Sequence, residues 1–170
     1  MPSKPQPFYL NPTPLVPNSP YPLLVYRDAF PKDVGPDAIA ARFEQNAWIR
    51  QWTYGMYDRS HYHSTTHEAL GIFRGSALLK FGIADGEAEE PCSAVQLEVH
   101  AGDAIIIPAG VAHRAVRDTG GFMMVGAYPR GSKQWDMNYG GENKPVVSSV
   151  PDADPVLGQD PGGLIDLWAM

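Results

Sequence analysis

With only one cysteine, Cys92, the chain cannot close a disulfide within itself, and it suits a reducing compartment. Positive charge is also scarce. Thirteen Lys and Arg against 19 Asp and Glu leave a net charge of −6, so the basic footprint of a nucleic-acid binder is missing. No apolar run approaches the roughly 20 residues that span a bilayer. The start, MPSKPQPFYLNPTP, shows no apolar core behind its one lysine of the kind a secretory leader carries. These absences predict a soluble, cytoplasmic protein with neither a nucleic-acid nor a membrane partner. Internal repeats and low-complexity linkers are missing too, and 170 residues are most simply one domain.

What is abundant is proline, and it is unevenly placed. Nine of the 17 prolines fall within the first 31 residues, which argues against a regular helix or a central strand there. The aromatics Phe8, Tyr9, Tyr21, Tyr26 and Phe30 argue equally against a disordered tail. An extended arm over residues 1–31 is expected, with Leu23–Tyr26 adding a strand at a sheet edge. One helix is predicted from Pro36, a good first helical residue, through Ile39 and Phe43 on one face to Gln45, with Asn46 ending it. From Trp48 to Tyr128 the chain breaks into short β-branched or aromatic runs separated by Gly, Asp and Pro. Strands are expected at Ile49–Tyr57, Ser60–His63, Ala69–Phe73, Ala77–Phe81, Val95–Val99, Ala104–Ile107, His113–Val116 and Phe122–Tyr128. That spacing predicts an all-β sandwich or barrel over 32–130. Residues 131–170 are Gly- and Pro-rich and end in LIDLWAM, an apolar cap expected to dock on the barrel.

The chemistry is concentrated in HYHSTTHEALGIFRG, His61 to Gly75, which holds three of the five histidines and a glutamate. Residues two apart in a strand share a face, so His61 and His63 project together while Tyr62 points away. Two imidazoles side by side on a rigid strand make a clamp for a metal ion. Gly55, Glu68 and Gly75 frame the pair at fixed offsets. Further on, GDAIIIPAGVAH sets Gly102, Pro108, Gly110 and His113 in a second frame.

The first stretch resembles the first cupin motif, G-x5-H-x-H-x4-E-x6-G, at all its defined positions. The second resembles the second motif, G-x5-P-x-G-x2-H-x3-N, except that Arg117 replaces the final asparagine. More narrowly, the runs HYHSTTHEALGI, PAGVAH, GAYP and DPVLG resemble the small single-domain bacterial cupins of YjlB type. The resemblance implies a single cupin (jelly-roll) β-barrel in which His61, His63, Glu68 and His113 converge. Three imidazoles and a carboxylate suit one divalent ion among Mn, Fe, Ni, Co and Zn, with coordination positions left open for a small-molecule ligand. His67 is the rival to Glu68, because adjacent strand residues face opposite ways. Register to Gly75 selects Glu68, unless the Ser64–Thr66 loop delays the strand by one residue.

Three further residues are candidates for substrate binding by parity alone. Tyr57 and Arg59 share parity with His61, and Arg117 shares it with His113 and Ala115. Arg117 is either a planar fork for an anion at the barrel mouth or a solvated rim residue paired with an acid such as Asp118. Trp48, Trp52, Tyr54 and Tyr128 are either cavity walls or ordinary core. The function implied is a metal-dependent enzyme of oxygenase or isomerase type, or else a metal-containing binding or sensing module without turnover. Pairing of sheet edges into a homodimer is expected.

Overall fold

The computed structural model describes residues 3–169. Met1, Pro2 and Met170, the outermost residues of the two expected arms, lie outside the described residues. In chain order the elements are β1 (Gln6–Leu10), β2 (Ser19–Tyr26), α1 (Pro36–Gln45), β3 (Trp48–Tyr54), β4 (Glu68–Arg74), β5 (Ser76–Phe81), β6 (Val95–His100), β7 (Ala104–Ile107), β8 (His113–Asp118), β9 (Met123–Pro129) and α2 (Leu164–Leu167). All strand pairs are antiparallel. They form a six-stranded sheet in the order β1-β2-β7-β4-β9-β3 and a three-stranded sheet in the order β6-β5-β8. The expected all-β jelly roll is present as two facing sheets, a jelly-roll-like sandwich, rather than as one closed ring of strands.

Strand alternation explains where each apolar side chain goes. Leu23, Val25, Leu70, Ile72, Ile105, Ile107 and Met124 leave the inner face of the large sheet. They pack against Ala77, Leu79, Phe81 and Val99 of the small one. The alternate residues Leu24, Tyr26, Ala69, Ile106, Val125 and Ala127 leave the outer face. Ile39, Ala40 and Phe43 of α1 and Val156, Leu164 and Trp168 of the C-terminal segment cover them. The large sheet is therefore buried on both faces, which is why β7 reads AIII without a polar break. The helix has the bounds expected of it, with Pro36 in its first turn, Asp37 at its positive end and Asn46 as its C-cap.

The proline-rich start departs from expectation in one respect. β2 is not at the edge: it lies second in the sheet, and β1 takes the edge outside it. The prolines set this arrangement. Pro20 and Pro22 precede the part of β2 that bonds to β7, which begins at Leu24, and Pro7 sits in the edge strand where a missing N–H is tolerated. The C-terminal cap docks. Trp168 is buried, and its indole N–H donates to the Pro22 carbonyl at 2.9 Å. Asp154 is buried below it and gathers N–H groups from Val156, Leu157 and Leu164 at 2.7–2.9 Å, together with the Tyr26 hydroxyl. No helix among the described residues is long and apolar enough to cross a membrane.

Candidate metal centre

Three segments bring the site together. His61 and His113 sit opposite one another, exchanging both backbone hydrogen bonds at 2.9 and 3.2 Å. The expected strand Ser60–His63 is reduced to isolated bridges, because Tyr62 pairs only with Asn138. Parity still holds within it. Tyr62 turns away to pack beside Val16, Ala84 and Ala112, while the two histidine rings on either side face the cavity. The turn before β8 needs Gly110 at φ +96, where a Cβ would stand 2.4 Å from the Asn18 carbonyl oxygen. Its N–H donates to the His63 carbonyl at 2.8 Å, tying the two motifs together.

Glu68 opens β4 with the same parity as Leu70 and Ile72, so its carboxylate enters from the inner face. One oxygen lies 3.2 Å from His63 Nε2 and the other 3.6 Å from His113 Nε2. A ligand nitrogen from each of His61, His63 and His113 lies within 4.8 Å of the others. His67 has the opposite parity and is buried on the outer face. Its Nδ1 accepts from the Ala109 N–H at 2.9 Å, its Nε2–H donates to the Ser149 carbonyl at 3.0 Å, and Trp168 packs on its ring. Both of its nitrogens are in use away from the cavity.

The orientation of the three rings is fixed by main-chain oxygen. His61 Nδ1–H donates to Arg59 O at 2.9 Å, His63 Nδ1–H to Asp136 O at 2.6 Å, and His113 Nδ1–H to Val111 O at 3.0 Å. A carbonyl can only accept, so each Nδ1 carries a proton, and a ring in its neutral form presents a bare Nε2 lone pair to the cavity. His113 Nε2 is buried with no hydrogen-bond partner. Burial pushes the His113 ring down to about 3, and burial also lowers His61. At His63 burial acts the same way, but in its protonated form the ring donates Nε2–H to Glu68 and meets its charge, which outweighs burial and holds the ring above its ordinary value. Burial alone would raise Glu68. A hydrogen bond from protonated His63, and the positive charge of the imidazoles when protonated, instead keep it down at about 2.

Over 163 residues, 90% of each chain, the sequence is 35% identical to the uncharacterized protein YjlB of Bacillus subtilis (strain 168). The chain belongs to the YjlB-like cupins. No family model matches it. Among solved structures it is similar to RmlC from Streptococcus suis, at 14% identity over 71% of this chain and 70% of that one, TM-score 0.34. It is also similar to procruciferin from Brassica napus, at 15% identity over 70% of this chain, TM-score 0.35. The chain spans 23% of that globulin.

In this YjlB-like cupin the substrate candidates separate. Tyr57 lines the cavity beside His61, with ring centroids 5.6 Å apart. Arg59 does not line it, but lies over the Tyr139 ring at 3.6 Å, because residues 55–60 are not strand and parity does not carry through them. Arg117 is turned outward. The pairing of β5 with β8 runs Leu78↔Arg117 and then Leu79↔Ala115, so Val116 is an extra residue in β8. This bulge reverses the alternation and puts Arg117 opposite Leu78, on the face away from Leu79 and the cavity. Trp52, Tyr54 and Tyr128 are cavity walls. Trp48 is core on the other side, its indole N–H donating to Ala153 O at 2.9 Å. Sequence reasoning missed Trp135 and Met137, which close the cavity from the C-terminal segment, and Asp136, whose carbonyl orients His63. Their one signal was an aromatic residue isolated in a Gly- and Pro-rich stretch.

Proposed function

We propose that the chain is a divalent-metal-dependent enzyme acting on a small molecule, with His61, His63, Glu68 and His113 as the metal ligands. One observation carries the reading. The Nε2 atoms of three Nδ1-protonated rings converge with a carboxylate in a buried space, and with the rings neutral every one of these atoms is an acceptor. Acceptors held this close repel unless a cation lies among them, and His113 Nε2 has no other partner. A mixed nitrogen and oxygen set without thiolate fits Mn, Fe, Co, Ni or Zn.

Such an ion supplies Lewis acidity, and for iron also a place for O2. The chain's own residues supply the rest. The three backbone carbonyls hold Nδ1 of each ring protonated and Nε2 aimed at the cavity. Tyr128 Oη accepts from the Trp52 indole N–H at 3.2 Å. Burial and the charge of Glu68 push the Tyr128 phenol above its ordinary range, so it keeps its proton and can donate it to a ligand. A second reading, a metal-containing module that binds without turnover, is favoured by one fact. Apart from the four residues of the centre, no Asp, Glu, His or Lys lines the cavity to serve as a general base.

Elemental analysis of the purified protein, beside His61→Ala and Glu68→Ala, tests the centre. Near-stoichiometric transition metal lost in both variants supports it, and iron would direct assays to O2-dependent chemistry. No metal after reconstitution would sink it. Turnover of any neutral candidate substrate separates the enzyme from the binding module. We also propose a homodimer, supported by the unpaired outer edges of β1 and β3. Monomeric mass by light scattering at micromolar concentration would remove that proposal.

A further inference from the structure

The cavity over the centre has about 220 Å³ of free space, and its walls are chemically one-sided. Trp52, Tyr57, Tyr128 and Trp135 form the sides, with Met56 and Met124 between them. Tyr54 and Met137 complete the lining. Among the described residues, not one Lys, Arg, Asp, Asn, Gln, Ser or Thr reaches it, and Glu68 is its only carboxylate. The two arginines that strand parity suggested for the site are engaged elsewhere. Arg59 is stacked on Tyr139, and Arg117 is turned out by the bulge in β8.

The Trp52 wall is held by close packing. Gly126 of β9 carries no side chain where the Trp52 indole crosses it, and a Cβ there would stand 2.1 Å from the ring. Trp135 lies edge-on to His63 at 5.7 Å, and His63 in turn lies edge-on to Tyr128 at 6.1 Å. The aromatic surface is thus continuous with the imidazoles. Tyr54 and Tyr57, edge to face at 6.5 Å, carry it to the exposed rim.

We propose that the ligand of this site is a small, uncharged, largely apolar molecule, planar or aromatic, bearing an oxygen donor at one end only. The proposal rests on the metal-centre reading for the oxygen's destination, and on the walls alone for the rest. A phosphate or carboxylate would enter without a cationic side chain to meet it. A sugar would leave most of its hydroxyls unpaired in a buried space, since tyrosine hydroxyls are almost the only partners on offer. A flat apolar ring meets indole, phenol and thioether faces throughout, and methionine adapts to its outline.

The test is calorimetric titration of the full chain with naphthol, naphthyl phosphate and glucose. It is run on chelator-stripped protein, where no bound ion can attract the phosphate, and again after loading with Zn2+. The expected result is that stripped protein binds naphthol at least tenfold more tightly than either other probe. Trp135→Ala and Tyr57→Ala, both at partly exposed positions, each weaken naphthol several-fold, with circular dichroism confirming the fold. Arg117→Ala changes nothing. Equal or tighter binding of naphthyl phosphate or glucose overturns the proposal, and so does naphthol binding indifferent to both aromatic variants. Zn2+ uptake with no naphthol binding overturns it while leaving the metal centre standing. Naphthol selectivity without Zn2+ uptake upholds the ligand class and removes the metal reading.

Discussion

Two of the buried carboxylates, Asp154 and Glu68, have opposite surroundings. Asp154, under the C-terminal cap, is met by three backbone N–H groups and the Tyr26 hydroxyl, all donors. Glu68, in the cavity, is met by the Nε2 atoms of His63 and His113, whose protons sit on the far side of each ring. The first is complete as it stands and pins residues 154–168 to β2. The second is complete only with a cation. Burial of a carboxylate therefore says nothing about function until the polarity of its partners is known.

Exchanging each carboxylate for its amide is the sharpest way to break the comparison. Asp154→Asn turns an NH2 toward N–H donors and should cost about 3 kcal/mol of stability, read by urea unfolding, while metal content is unchanged. Glu68→Gln should do the reverse. It offers donors to the bare imidazole nitrogens, so the metal-free protein stays within about 1 kcal/mol of the parent, while metal affinity falls by about 100-fold or more. If both variants lost similar stability and kept metal, Glu68 would be as structural as Asp154.

The neighbouring histidine gives a third test, through pH. Burial pushes His67 down to about 4, well below its ordinary value of 6.5. Between those values the unfolded chain takes up a proton there that the folded chain refuses, so stability falls with acid across that window and is full above it. Thermal midpoints measured from pH 7 to pH 4 should therefore drop, by roughly 2–3 kcal/mol of stability from this group. His67→Gln should flatten that part of the profile without loss of metal. An unchanged slope would mean that His67 is not held neutral. Smaller again is Gly126→Ala, which crowds Trp52 and should cost about 1–3 kcal/mol while shifting tryptophan emission. Arg117→Ala, on the outward face beyond the bulge, should stay within about 0.5 kcal/mol and leave metal content alone.

What could be read in the sequence was what strand alternation and turn chemistry control. The helix bounds and most of the strands follow from periodicity and turn residues, and the convergence of His61, His63, Glu68 and His113 from the resemblance to the cupin motifs. Alternation failed where a single residue interrupts it. Val116 bulges and sends Arg117 outward, and the coil at 55–60 releases Arg59. A one-residue slip of this kind has no signature in composition. The second strand was misplaced at the edge because prolines were counted over the whole segment, whereas the ladder to β7 begins only after Pro22. Trp135 and Asp136 were invisible because their role depends on a coil crossing the cavity from more than 60 residues away along the chain.

The three groups that orient the histidines, the carbonyls of Arg59, Val111 and Asp136, all belong to the main chain. Side-chain replacement cannot delete a carbonyl. Homologues can therefore drift at positions 59, 111 and 136 while inheriting the same imidazole geometry, provided the backbone path is kept. The centre is buffered against mutation in its supports and exposed to it at His61, His63, Glu68 and His113 and in the turns that set that path. Insertions or deletions near residues 59, 111 and 136 should disable such a site far more readily than substitutions do.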